Sequence, residues 1–251
     1  EESNHITALF MLTKAYDKLG EYDKAWEVSA KAHSLSTNPF DVDEYFKQFT
    51  EMREFLSTGI LESLVEGPTT DVEPLFIVGN PRSGTSLLEQ IMSMHPDIEN
   101  CGEMSVGMTM QLELPVLTDS FHQWPNNLID MRVEDAAKLS EMYLEAASHS
   151  RTDEKILSNK ALNLPIQAGF LSTVLPSSRA IMLHRHPLDN AVSCYTTNLL
   201  SAGHPYTNNL EDLGRVWVHR KKMSDMWMEK LSIPVMELHY ENLVADQRGE
   251  T

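Results

Sequence analysis

Between His5 and Ser36 apolar residues return every three or four positions. Leu9, Leu12, Ala15 and Tyr16 fall on one face; after Leu19-Gly20-Glu21-Tyr22 the set continues with Ala25, Val28, Ala32 and Leu35. That period predicts two helices joined through a glycine turn. A third helical stretch is expected from about Val42 to Val65, closed by the polar breaker Gly67-Pro68-Thr69-Thr70-Asp71. Beyond it the pattern alternates. Pro74 to Val78 is a short apolar run of strand type, and Thr85 to Met94 is helical with Leu87, Leu88, Ile91 and Met92 inward. Further helices are predicted around Leu139 to Ala146 and over Leu164–Val174, Pro187–Leu200 and Leu210–Met228, and further strands at Ile156-Leu157, Arg179–Leu183 and Pro234–Leu238. Strands alternating with helices predict an α/β class with a mainly parallel sheet covered on both faces. Gly107 to Asn127 has no clear period and is assigned to neither class. The expected organisation is a helical segment over residues 1–66 and an α/β domain over residues 74–251.

Composition narrows the partners. Of 251 residues 41% are apolar, enough for a proper core, and 20 basic against 37 acidic residues give a formal charge of −17. Such a balance repels nucleic acid and anionic membrane surfaces, so neither is expected as a partner. It does not exclude an anionic cofactor, which backbone N–H groups and one or two arginines can hold locally. Cys101 and Cys194 are the only cysteines and show no metal-type spacing, which points to a reducing, cytoplasmic compartment. No apolar run reaches the ~18 residues of a membrane span. The chain opens at Glu1, inside a predicted helix, and an upstream segment is expected.

The strongest local signal is Phe76-Ile77-Val78-Gly79-Asn80-Pro81-Arg82-Ser83-Gly84-Thr85-Ser86-Leu87-Leu88, a strand turning through a glycine loop into a helix. Gly79 and Gly84 let the backbone curl so that successive N–H groups point inward at the positive end of the next helix. The spacing is that of a P-loop, except that Thr85 stands where the lysine reaching the β- and γ-phosphates would be. ATP or GTP hydrolysis is thereby disfavoured. Arg82 supplies positive charge from another position, with a planar fork suited to orienting an oxyanion.

At this point the chain resembles known families. Pro81-Arg82-Ser83-Gly84-Thr85-Ser86 is similar to the 5′-phosphosulfate loop of sulfotransferases, and His95-Pro96-Asp97 through Cys101-Gly102-Glu103 resembles the tyrosylprotein branch and the tetratricopeptide-linked bacterial branch. The N-terminal hairpin resembles one tetratricopeptide repeat in Leu12, Tyr16, Gly20, Tyr22, Ala25 and Ala32, with Asn38-Pro39 closing it, although Ser29 stands where a large apolar residue is usual. An ordinary helical hairpin remains open as the alternative. The resemblance implies a P-loop type three-layer fold, 3′-phosphoadenosine 5′-phosphosulfate (PAPS) as sulfuryl donor, and no metal. It assigns Arg82, Ser83, Gly84, Thr85 and Ser86 to the 5′-phosphosulfate.

It also assigns other residues. Arg185, at the end of a predicted strand, and Ser193, eight residues on, match a pair that grips the donor's 3′-phosphate. Lys160, in Leu157-Ser158-Asn159-Lys160-Ala161-Leu162-Asn163, matches a lysine beside the transferring group, where an ammonium would stabilise charge on the bridging oxygen. Glu103, at the ungapped distance from Arg82 found in the tyrosylprotein branch, matches the base. A partly desolvated carboxyl with raised pKa is expected there. Met104 departs from the second acidic residue of some members. Tyr240-Glu241-Asn242-Leu243-Val244-Ala245-Asp246 resembles a closing strand-to-helix motif. Members continue beyond the position of Thr251 into elements over the adenine, so these contacts are expected to be incomplete.

His184 and His186 lack metal-ligand spacing, the basic run His219-Arg220-Lys221-Lys222 reads as partly solvated, and Trp217 and Trp227 read as core. The reading is a PAPS-dependent sulfotransferase acting on a hydroxyl of a protein tyrosine, carbohydrate or small alcohol, with a repeat segment able to bind peptide. Its alternatives are a kinase-like phosphoryl transferase on the same fold, which the missing loop lysine disfavours, and a repeat adaptor that has lost activity.

Overall fold

The computed structural model describes residues 2–36, 40–148, 156–200 and 203–250. In chain order the helices are α1 (Glu2–Lys18), α2 (Tyr22–Ser34), α3 (Val42–Ser57), α4 (Thr85–Met92), α5 (Val106–Thr118), α6 (Val133–Ser148), α7 (Leu164–Val174), α8 (Pro187–Tyr195), α9 (Leu210–Lys230), α10 (Tyr240–Ala245) and α11 (Gln247–Glu250). The strands are β1 (Glu73–Gly79), β2 (Ile98–Asn100), β3 (Ile156–Asn159), β4 (Arg179–His184) and β5 (Val235–His239). Two compact units arise, one of residues 1–46 with 186–219, the other of residues 47–185 with 220–251.

In the first unit α1 and α2 are joined at Gly20, whose φ of 75° lies in the left-handed region glycine tolerates. The buried face of α1 is Leu9, Phe10 and Thr13, whereas Leu12 and Ala15 are exposed. The expected face was therefore rotated. Ala25 and Ala32 are buried as expected, and the odd Ser29 is buried too, its hydroxyl 3.2 Å from that of Thr13. A polar pair fills the space that a large apolar residue would otherwise take. His33 packs on the Tyr195 ring and has Nε2 2.8 Å from the Tyr195 carbonyl oxygen. Asn38-Pro39 lies outside the described residues.

The second unit holds a parallel sheet in the order β2-β3-β1-β4-β5. Leu75, Phe76, Ile77 and Val78 of β1 are all buried, which is why this strand reads as a continuous apolar run. Leu75 and Ile77 pack with Leu88, Ile181, Leu183, Leu238 and Leu243 in one cluster. Every residue of α7 is buried, and Gly169 there lets the Trp227 ring approach to within 2.7 Å of where a Cβ would stand. Trp227 Nε1 donates to the Pro165 carbonyl at 2.7 Å, so this tryptophan is core.

Differences from expectation have local causes. The helix from Val42 ends at Ser57, where Gly59 takes φ 72° before a 3₁₀ turn at Ile60–Ser63. The unassigned stretch contains α5; Met108, Met110, Leu112, Leu114, Val116 and Leu117 leave it without a polar face, and Pro115 lies inside it. The edge strand β2 has only three residues, too few to show alternation. Leu87 is exposed, and Glu89 is buried in its stead.

Candidate active site

The candidate site lies at the C-terminal ends of β3, β1 and β4. The chain leaves β1 toward β2 and β3 on one side and leaves β4 toward β5 on the other, and the gap beside β1 is where open α/β sheets hold ligands. Three loops meet there.

The first joins β1 to α4. A Cβ on Gly79 would stand 2.6 Å from Ser83 Oγ and 3.1 Å from the Leu183 carbonyl oxygen, and one on Gly84 would stand 2.4 Å from the Tyr240 ring. Gly84 takes φ 101° and Arg82 takes φ 66°, so two residues of this short turn are left-handed. Ser83 is buried, with both its N–H and its hydroxyl donating to the Asn80 carbonyl, at 3.1 and 2.7 Å. Its hydroxyl thus closes the turn. Thr85 and Ser86 open α4, where the first amides have no partner within the helix. Arg82 is exposed.

The second loop follows β4. Arg185 donates from Nη1 to the Arg82 carbonyl at 2.8 Å, and its guanidinium carbon lies 4.5 Å from the centre of the Tyr240 ring. The cation is therefore clamped between phosphate loop and aromatic face. Its Nε is buried without a protein partner, an orphaned donor of the kind an anionic ligand satisfies. Ser193 is half-buried on α8, in the other unit.

The third loop follows β3. Lys160, whose side chain is 12% exposed, donates from Nζ to Glu103 Oε1 at 3.1 Å and stands 3.8 Å from Glu89 Oε2. Asn159 organises the surroundings: its Oδ1 accepts from the Met104 and Ala161 amides at 3.3 and 2.9 Å, and its Nδ2 donates to the buried Tyr143 hydroxyl at 3.1 Å. The Lys160 amide donates to the Gly102 carbonyl at 2.9 Å. Glu103, expected to be partly desolvated, has a side chain 53% exposed. The desolvated carboxyl is Glu89, which is 2% exposed; burial raises its pKa, against donation from Ser158, the Lys160 charge and donation from Gly102.

Glu89 does not stand out in the sequence, and Arg220 falls in a basic run that reads there as partly solvated. Arg220 is buried, with both terminal nitrogens 3.5 Å from the Leu162 carbonyl oxygen. His184 lies against Glu237 and Ser224, at 3.4 and 3.5 Å, and burial, followed by the Lys221 charge, lowers its pKa. Burial, reinforced by Glu99 and Glu89, pushes the Cys101 thiol up to about 11. Among the described residues no group of three or more His, Cys, Asp or Glu could hold a metal ion, and no helix is long and apolar enough to cross a membrane.

A parallel five-stranded α/β sheet with a glycine loop between β1 and α4 and cationic side chains at the neighbouring strand ends is the architecture of a P-loop type domain. Residues 74–251 match the sequence signature of the Sulfotransferase family, and the chain belongs to that family. A relative from Aquifex aeolicus (strain VF5), described only as an uncharacterized protein, is 25% identical over 254 residues. The match covers 98% of this chain and 33% of the relative, so the chain spans a third of that protein's length. Similar solved structures include the sulfotransferase from Alicyclobacillus acidocaldarius, 17% identical over 70% of this chain and 76% of that one with a TM-score of 0.46. The sulfotransferase domain from the curacin biosynthetic pathway is 14% identical over 71% of each chain, with a TM-score of 0.49. That of the Synechococcus PCC 7002 olefin synthase is 17% identical over 74% and 71%, with a TM-score of 0.46.

Proposed function

We propose that this chain transfers the sulfuryl group of PAPS to a hydroxyl acceptor, whether protein tyrosine, carbohydrate or small alcohol. The observation that carries the reading is the meeting of the β1 loop with Arg185, whose buried Nε has no protein partner. The amides of Gly84, Thr85 and Ser86 and the Arg82 guanidinium would hold the 5′-phosphosulfate, with Ser83 shaping the turn. Arg185 would hold the 3′-phosphate; Ser193 is assigned there by its matching position in the sequence alone.

The donor supplies an activated sulfuryl group on a bridging oxygen that gains negative charge as its bond to sulfur breaks. Lys160 offsets that charge, and Glu103 takes the proton of the attacking hydroxyl. The exposure of Glu103 suits a base that an acceptor must reach. Arginine and lysine here take the part that Mg²⁺ has in phosphoryl transfer. The α1–α2 hairpin is read as a tetratricopeptide-like segment that binds peptide, within a chain of the reducing cytoplasm.

Calorimetry tests the donor assignment. 3′-Phosphoadenosine 5′-phosphate should bind far more tightly than ADP, without Mg²⁺. Tighter, Mg²⁺-dependent binding of ATP would replace this reading with the kinase-like one.

A further inference from the structure

Glu89 is a carboxyl on the inward side of the helix that follows the phosphate loop, 2% exposed. Burying a charged carboxyl is unfavourable before its partners are counted, and an apolar residue would fill the same space without that cost. Its contacts join three segments. Oε1 accepts from the Gly102 amide and from Ser158 Oγ, each at 3.1 Å, while Oε2 faces Lys160 Nζ at 3.8 Å. Gly102 precedes Glu103 in the chain, and Ser158 lies two residues before Lys160. Glu89 therefore touches the supports of both members of the Lys160–Glu103 pair and the lysine itself, yet its own burial keeps it away from any acceptor.

We propose that Glu89 is a positioning residue: it holds the Lys160 ammonium at the end of β3 from the protein side, so that Glu103 on the open side can exchange Lys160 for the acceptor proton without the lysine drifting. Two carboxyl groups flank one ammonium, and only the exposed one is free to change partners. The proposal rests on the roles given above to Lys160 and Glu103.

Single-turnover rate, affinity for 3′-phosphoadenosine 5′-phosphate and melting temperature should be measured for wild type, Glu89→Gln, Lys160→Ala and the double variant. Glu89→Gln should slow transfer by roughly 10–100-fold, within the range of coupling between contacting residues, with nucleotide affinity retained and melting temperature not lowered. The double variant should be no slower than Lys160→Ala. Losses that multiply in the double variant, a wild-type rate in Glu89→Gln, or a joint fall of rate, affinity and melting temperature would overturn the proposal. A crystal structure of Glu89→Gln separates this idea from the reading on which it rests. A displaced Lys160 supports positioning and an unmoved one refutes it, even if Lys160→Ala and Glu103→Gln both turn over normally and the assigned chemistry falls.

Discussion

The phosphate loop and the Lys160 cluster lie at neighbouring strand ends but are built by opposite means. The loop is made of backbone: glycines at 79 and 84, a left-handed Arg82, and a serine whose hydroxyl is spent on closing the turn. The cluster is made of side-chain charge, with Glu89, Lys160 and Glu103 brought together from segments far apart in the chain. A backbone site depends on its dihedrals and on the space its glycines leave; a charge site depends on the identity of each member. The two should therefore fail differently when altered.

The largest effect is expected at the charge site. Glu103→Gln keeps the shape and an acceptor for Lys160 but cannot take a proton, so single-turnover rate should fall by about 10²–10⁴ while nucleotide affinity survives. Retained turnover would remove Glu103 as the base. At the backbone site the failure should be of binding and stability together. Gly84→Ala places a methyl 2.4 Å from the Tyr240 ring at φ 101° and should cost about 1–3 kcal/mol. A thermal melt and a nucleotide titration on the same sample check this; an unchanged melt would show that the ring yields freely.

The smallest effect sharpens the contrast through pH. Burial raises the Glu89 pKa above its ordinary 4.5, so the fold favours its protonated form. Its contribution is fully present below the unfolded carboxyl's pKa and is lost as pH rises through the raised folded value. Glu89→Gln, neutral throughout, should keep that contribution, and its melting temperature relative to wild type should climb as pH rises from below 4.5 to neutrality. Parallel curves would mean that Glu89 ionises in the fold as readily as in the unfolded chain.

The loop was legible because its chemistry is contiguous: a strand, two glycines, an arginine and a helix start lie within thirteen residues. The parallel sheet was legible for the same reason, since each long strand is an apolar run bounded by turns. Glu89 was not. On a helical count it falls one turn after Thr85 and three residues before Met92, on the arc that faces inward, but a glutamate beside Gln90 reads as solvated until its burial is known. The rotated face of α1 has a similar cause. Thr13 points inward because Ser29 on α2 meets its hydroxyl, a pairing across two helices that a single-helix period cannot register. α5 escaped because a helix without a polar face has no period to detect.

The strand order also bears on how the chain is made. β1 is synthesised first and ends at the centre of the sheet, where Phe76 pairs across to Asn159 on one side and Ala180 on the other. As a ribosome extends the chain, Leu75-Phe76-Ile77-Val78 emerges long before either neighbour exists, and contacts so distant in sequence form slowly. Until then this segment has two unpaired edges and high strand propensity, the combination that favours pairing with another nascent chain. The strand that carries the phosphate loop is thus the one that the growing protein must shield longest.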